Sequence, residues 1–425
     1  LLGFTPDHFK KGIRVVGIRL WFVRPMGMFR ESEWKVLARD INRQNVPGLD
    51  LANRWDVEDQ TLASLGNLQA LRLLQLDRTR VTDSGLAKLA ALPQLEILSV
   101  SPKTSDLGLR AISALTRLRD LDLRGSKVSE AGLNHLTAFP RLTTLALNQN
   151  MSDTAADILL MLSHLVELDL SLTSMGDDGI ARLEPLALES LYAGPQLTDA
   201  GLAHIGTWQH LRRLDLSRTQ ITDAGLASLE MLPHLEELAL TDTSITDAGL
   251  AALSHLTSLR TLELSGTHVT SAGFEFLVRL TRLETLSLSV SQLSSDETKL
   301  LARLTHLKTL ILDGSPVPQA MLASLAHTSG AHPLKAPRAA PLPAYSASPE
   351  ANGIDVIQPH LGSRPAGASA KLFSTTYHGV SGLRKIQRIQ TETSELSDII
   401  PASQRKVEDT EPKNFLGDID VRVKR

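Results

Sequence analysis

The chain contains no cysteine. That one absence removes thiol nucleophiles, disulfide-tied caps and thiolate metal sites together. Long apolar runs are missing too. The best candidate, Ile13 to Val23, carries Arg14 and Arg19 and falls well short of the roughly 20 residues a membrane helix needs. No Gly-rich phosphate loop, zinc-protease helix or nucleophile elbow is present. Ser32-Glu-Trp-Lys35 matches a Ser-x-x-Lys pattern, which arises often by chance, and its companion motifs are absent. Net charge is small, −3 over 425 residues, but unevenly spread. Residues 1–45 hold nine bases against four acids, whereas residues 46–330 hold 33 acids against 22 bases. An acid-rich body repels nucleic-acid phosphates, so no nucleic-acid partner is expected. The first residue is not methionine, and the chain is read as a fragment or processed form whose targeting signals are out of view.

What the chain does have is a repeat. Leu259-Arg-Thr-Leu-Glu-Leu opens a unit whose Leu-x-x-Leu-x-Leu start recurs at Leu211, Leu235, Leu283 and Leu307, and upstream at Leu71, Leu95, Leu118, Leu142, Leu165 and Leu188, with a looser copy near Val46. A period of roughly 20–29 residues with this spacing is a solenoid signature, here with about twelve turns. In Thr261-Leu262-Glu263-Leu264-Ser265 the apolar residues alternate as in a strand with one buried face. In Thr222 to Leu232 they fall at Leu226, Leu229 and Leu232, which suits a short helix. Thr222 is placed to cap that helix, and Asp223 puts a carboxylate in its first turn.

One turn cannot shelter its own leucines; stacked copies do. Strands stack about 4.8 Å apart while helices need roughly 10 Å, so the two layers are expected to curve into a horseshoe with strands on the concave side. Glycine recurs at Gly85, Gly132, Gly201, Gly225, Gly249 and Gly273 despite a helical cost of about 0.5–1 kcal/mol relative to alanine. The expected reason is close approach of the neighbouring turn. A hydroxyl column at Thr79, Ser126, Thr173, Thr219, Thr243, Thr267, Ser291 and Ser315, with Asn150 among them, is expected to bond backbone left unpaired where each strand ends.

These residues resemble the leucine-rich repeat family, and the Thr-Asp-x-Gly-Leu element is similar to its cysteine-containing and ribonuclease-inhibitor-like branches. The resemblance spans about Val46 to Ala326. It departs from those branches in a shorter unit and in Thr or Ser where Cys or Asn often stands. It implies an α/β solenoid serving as a protein-recognition scaffold, without naming a partner. The bacterial leucine-rich-repeat ubiquitin ligases need a catalytic cysteine, so their activity is excluded, and receptor ectodomains usually carry disulfide caps.

The domain reading is a capping segment at 1–45, repeats at 46–326, a Pro/Ala-rich linker at 327–370 and a tail of unassigned fold at 371–425. The segment from Ile13 is expected to form a strand or hairpin over the open end of the first turn, with a helix at Glu31 to Asn42 burying Trp34, Leu37, Ala38 and Ile41. The alternative for residues 13–30 is a membrane-surface segment using Arg14, Arg19, Arg24 and Arg30. In the tail, Leu383, Ile386 and Ile389 have helical spacing, while Ile419, Val421 and Val423 alternate as in a strand cut short by truncation.

Outward strand positions supply the candidate site. They read Asp50, Asp77, Asp120, Asp122, Glu167, Asp169, Asp215, Glu237, Glu263 and Asp313 against only Arg124 and Arg213, with Tyr192 as an aromatic anchor. The partner-binding set is taken as Asp120, Asp122, Glu167, Asp169, Tyr192, Arg213, Asp215, Glu237 and Glu263, docking a basic protein segment. The bland alternative is that these groups merely solvate the sheet. Pairs such as Asp120 with Asp122 resemble acid/base dyads by type, but an open sheet offers no pocket, so no enzyme activity is expected. His164, His210, His234 and His306 precede strands. His210 and His234 on adjacent turns could share a metal, but loop histidines copied with the repeat account for them, and no metal or cofactor is expected. Asn150-Met-Ser152 is a formal glycosylation sequon. The preferred reading is a non-enzymatic, monomeric, cytoplasmic interaction scaffold. The alternatives are a ubiquitin-ligase substrate adaptor, or a secreted bacterial effector mimicking one, and an enzyme whose activity resides in the tail.

Overall fold

The computed structural model describes residues 13–15, 18–20, 22–25, 29–65, 68–289, 294–312, 355–357 and 419–422. Asp313, Ser291, Ser315 and the helical spacing at Leu383 to Ile389 lie outside them. The chain divides into two compact units, residues 1–150 with 374–425, and residues 151–373.

In the first unit the strands Phe22–Pro25, Gly48–Asp50, Leu73–Gln75, Ile97–Ser99, Asp120–Asp122 and Thr144–Ala146 pair in chain order, all parallel. Ile13–Val15 and Ile18–Leu20 form an antiparallel hairpin. Helix Glu31–Arg43 buries Trp34, Leu37, Ala38 and Ile41, and its start is fixed by the Glu33 side chain, which accepts the Arg30 amide at 2.6 Å. The helix and its buried face are those that the amphipathic spacing predicts. Arg24, a candidate for lipid contact, instead donates through Nε to the fully buried Asp50 at 2.9 Å. The tail strand Ile419–Arg422 lies antiparallel on Phe22–Pro25 and covers the edge that strand would otherwise present.

In the second unit Glu167–Asp169, Ser190–Tyr192, Arg213–Asp215, Glu237–Ala239, Thr261–Leu264, Thr285–Leu288 and Thr309–Leu312 form a parallel ladder. Asp355–Ile357, inside the stretch read as a linker, adds one more parallel strand to the last of these.

The register puts a leucine at the centre of every repeat strand from Gly48 to Leu312: Leu49, Leu74, Leu98, Leu121 and Leu145 in one unit and Leu168, Leu191, Leu214, Leu238, Leu262, Leu286 and Leu310 in the other, all essentially fully buried. Each contributes about 1.5–3 kcal/mol by leaving water. In the repeat that starts its helix at Asp223, the helical half is α over Asp223–Leu226 and 3-10 over Ala227–Met231. Leu226, Leu229 and Leu232 are all buried, as one face of a short helix requires, and the same spacing at Leu250, Leu253 and Leu256 accompanies a helix that is α over Asp247–Leu253.

The caps do more than close single helices. Thr222 Oγ1 accepts the Ala224 amide at 3.3 Å, as its position predicts. The same hydroxyl donates to Asp199 Oδ2 at 2.6 Å, while the Thr222 amide donates to Asp199 Oδ1 at 2.8 Å. Asp199 belongs to the preceding repeat. The same double bond joins Asp177 to Thr198, Asp223 to Thr246 and Asp247 to Thr270, and in the first unit Asp59 to Thr82, Asp83 to Ser105 and Asp106 to Ser129. The first-turn aspartate is therefore an inter-repeat tie as well as a dipole partner. It also accounts for the glycine column. A Cβ on Gly225 would run into Asp199 Oδ1, and one on Gly249 into Asp223 Oδ1. The threonines of the hydroxyl column behave as expected, Thr79, Thr173, Thr219, Thr243 and Thr267 donating to the carbonyl three residues back at 2.6–2.8 Å, whereas Ser126 accepts from the Asn148 side chain at 2.9 Å and Asn150 reaches the Val128 carbonyl at 3.4 Å.

Candidate protein-interaction surface

The outward face of each sheet is built from the first and third residues of each strand, either side of the central leucine. In the second unit the first column runs Glu167, Ser190, Arg213, Glu237, Thr261 and the third runs Asp169, Tyr192, Asp215, Ala239, Glu263. All the expected site residues of that unit are thus brought onto one face. They are not equally accessible.

Glu167, Asp169, Tyr192 and Asp215 are buried among their neighbours, Tyr192 at 4% exposure. An outward-pointing aromatic was expected to stand free as an anchor; the flanking side chains instead close over it. Glu237, Glu263 and Arg213 remain partly open. Arg213 Nε lies 3.0 Å from Glu237 Oε2. Burial pushes the Glu167 carboxyl up from its ordinary value; Arg213 opposes that shift, Asp169 and Glu237 add to it, and a Tyr192 hydrogen bond restrains it. Its Oε1 atom is buried without a hydrogen-bond partner.

Several aspartates of the third column have a local task. Asp169 and Asp215 accept the amides of Ser171 and Ser217, two residues on, at 2.9 Å. In the first unit Asp50 and Asp122 do the same for Ala52 and Arg124 at 3.0 and 2.9 Å. This Asx-type bond ends the strand. Asp122 also holds Arg124 in a two-pronged ion pair, and Asp120 beside it is buried. Asp77 is raised from the ordinary carboxylate range by burial first, then by Asp122 and Asp50.

Two features escaped the reading of the strands. The residue two places before each of five strand leucines carries alternating charge, giving a continuous chain of four ion pairs: Arg212 to Glu236 at 2.9 Å, Glu236 to Arg260 at 3.7 Å, Arg260 to Glu284 at 2.5 Å and Glu284 to Lys308 at 2.6 Å. Their spacing of one repeat and alternating sign were visible in the sequence. The second is a division of charge. Residues 46–150 hold 11 acids and 12 bases, whereas residues 151–330 hold 22 acids and 10 bases. His164, His210, His234 and His306 are all exposed, and no group of three or more potential metal ligands occurs among the described residues. Among them, too, no helix is long and apolar enough to cross a membrane.

Parallel strands in chain order, a leucine at each centre and a short helix returning to the next strand define a repeat solenoid of the α/β kind. Leucine-rich repeat family models match residues 209–269 and 162–183. Over those residues the chain carries leucine-rich repeats, and leucine-rich repeat domains act generally in protein–protein interaction. A solved structure of an internalin from Listeria monocytogenes is similar at 23% identity, covering 70% of this chain and 92% of that one with a TM-score of 0.46. No curated protein matches the chain.

Proposed function

We propose that this chain is a non-enzymatic scaffold that holds a protein partner bearing a basic segment against the outward sheet face of residues 167–263. The observation that carries this reading is the single-sign character of that face, with Glu167, Asp169, Asp215, Glu237 and Glu263 against Arg213 alone, in a half of the chain with more than twice as many acids as bases. The buried carboxylates set the potential, and Glu237 and Glu263 provide the reachable contacts. Fields of this kind act chiefly on association rate and weaken as salt screens them.

The test follows from the burial pattern. Asp169 and Asp215 hold backbone amides, so reversing them confounds binding with folding. Glu237→Lys with Glu263→Lys leaves those bonds alone. Binding of a labelled arginine-rich peptide to the full chain is expected to weaken about tenfold in the double variant, the sum of a few exposed charge contacts. Unchanged binding would remove the proposal. A ligase-adaptor role gains no support from residues 1–45, where the one helix among the described residues is spent on the cap.

A further inference from the structure

The first unit carries a second charged feature, of opposite sign, on the loops that leave the strands. The amides of Arg80 and Lys127 donate to Val57 and Thr104 of the preceding repeat, at 2.8 and 2.7 Å. Lys103, immediately before Thr104, occupies the equivalent place between them. Arg80, Lys103 and Lys127 therefore form one column, one cation per repeat over three consecutive repeats. All three are exposed, and none has an ion-pair partner among the described residues. In the second unit the same column reads Ser174, Gln220, His268 at the positions whose amides make the corresponding bond. The row is thus a property of the first unit and not of the repeat.

Neighbouring acids among the described residues make no ion pair with it. Asp56, one repeat before Arg80 in the same column, is held by Arg54 at 2.6 Å. Asp83 and Asp106 are occupied by Ser105 and Ser129, and Asp122 by Arg124. Arg78 stands beside Arg80 on the same loop, reaching Asn53 of the preceding turn at 3.4 Å. That preceding loop also presents Trp55, 62% exposed, the one exposed tryptophan among the described residues.

We infer that this edge is a docking site for an extended acidic protein segment, with Arg80, Lys103 and Lys127 pairing its carboxylates and Trp55 receiving an adjoining apolar side chain. Repeats about 4.8 Å apart make the row about 10 Å long, the reach of three or four extended residues at roughly 3.3 Å each. Nucleic-acid binders commonly neutralise about 6–10 phosphates, more than this row supplies. The surface lies in the half of the chain without net negative charge, so an acidic segment approaches it unopposed by that half. It is a different surface from the acidic face proposed above, and takes a partner of opposite charge.

The experiment uses the full chain and a fluorescein-labelled glutamate-rich peptide ending in leucine, read by anisotropy. Saturable binding that weakens with salt is expected. It should fall about tenfold in the Arg80→Gln, Lys103→Gln, Lys127→Gln triple variant, three exposed pairs being lost, and fall again with Trp55→Ala. The double variant Glu237→Lys, Glu263→Lys should leave it unchanged, which separates this site from the acidic face. Thermal melts matching the parent, with the three single variants as a graded series, show that loss of binding is not loss of fold. Absence of binding by the parent, undiminished binding by a folded triple variant, or tighter binding of single-stranded DNA or phosphatidylserine vesicles than of the peptide would overturn the inference.

Discussion

Asp199 illustrates how much one carboxylate does in this chain. It accepts an amide and a hydroxyl from Thr222, and the space it fills is available because residue 225 has no Cβ. Gly225→Ala is expected to destabilise by roughly 1–3 kcal/mol, because the methyl displaces a carboxylate from two bonds and leaves a partly buried acceptor unmet. Asp199→Ala removes the obstacle, so Gly225→Ala in that background should cost less than in the parent. A double-mutant cycle from denaturant melts checks this; strictly additive costs would show that the two residues do not share one constraint. Glu167 gives a pH signature. Its pKa is raised on folding, so the folded state binds the proton more tightly than the unfolded state does. The stabilising contribution is therefore full below the unfolded carboxylate value and lost as pH rises through the folded one. Glu167→Gln should melt higher than the parent at neutral pH, by on the order of 1 kcal/mol for a buried polar atom without a partner, and the gap should close as pH falls towards about 4. A gap independent of pH would rule out that origin.

At the scale of the element, the ion-pair chain from Arg212 to Lys308 ties successive repeats along their surface. Its members are partly exposed, so each pair is worth about 0.2–1 kcal/mol. Glu284, bonded by both Lys308 and Arg260, is lowered first by the Lys308 hydrogen bond. Its contribution is present above the unfolded carboxylate value and lost as pH falls through the folded one, the opposite sense to Glu167. Glu284→Gln should cost no more than about 1 kcal/mol at neutral pH in low salt, and the cost should shrink when melts are repeated in molar salt; a salt-independent cost would mean the pairs carry no stability. The elements themselves were legible, because leucine spacing reports burial directly and the three-residue spacing marks one face of a short helix. The inter-repeat tie was not. Asp223 has a sufficient local explanation at a helix start, and its partner Thr246 lies 23 residues away, where no short-range rule looks.

Across the whole molecule, the outward strand positions were legible, since alternation about the central leucine decides which residues point out. Accessibility was not legible. Pointing outward exposes a residue only if its neighbours are small, and Tyr192 sits among Glu167, Asp169, Arg213 and Asp215 on the adjoining strands. Nor did the total of 33 acids and 22 bases disclose that the excess belongs to residues 151–330, while residues 46–150 are nearly balanced. A sum over a repeat array averages away what successive copies have become, and here the copies differ more in charge than in leucines.

The aspartate-to-threonine tie has a consequence for chain length. Each copy carries a plug at its helix start and a socket for the plug of the copy before it, so a 24-residue cassette such as 198–221, in which Thr198 receives Asp177 and Asp199 reaches Thr222, is complete at both ends. Duplicating or excising one cassette leaves every remaining junction with a mate, and arrays of this kind can grow or shrink by whole units without redesign of what surrounds the join.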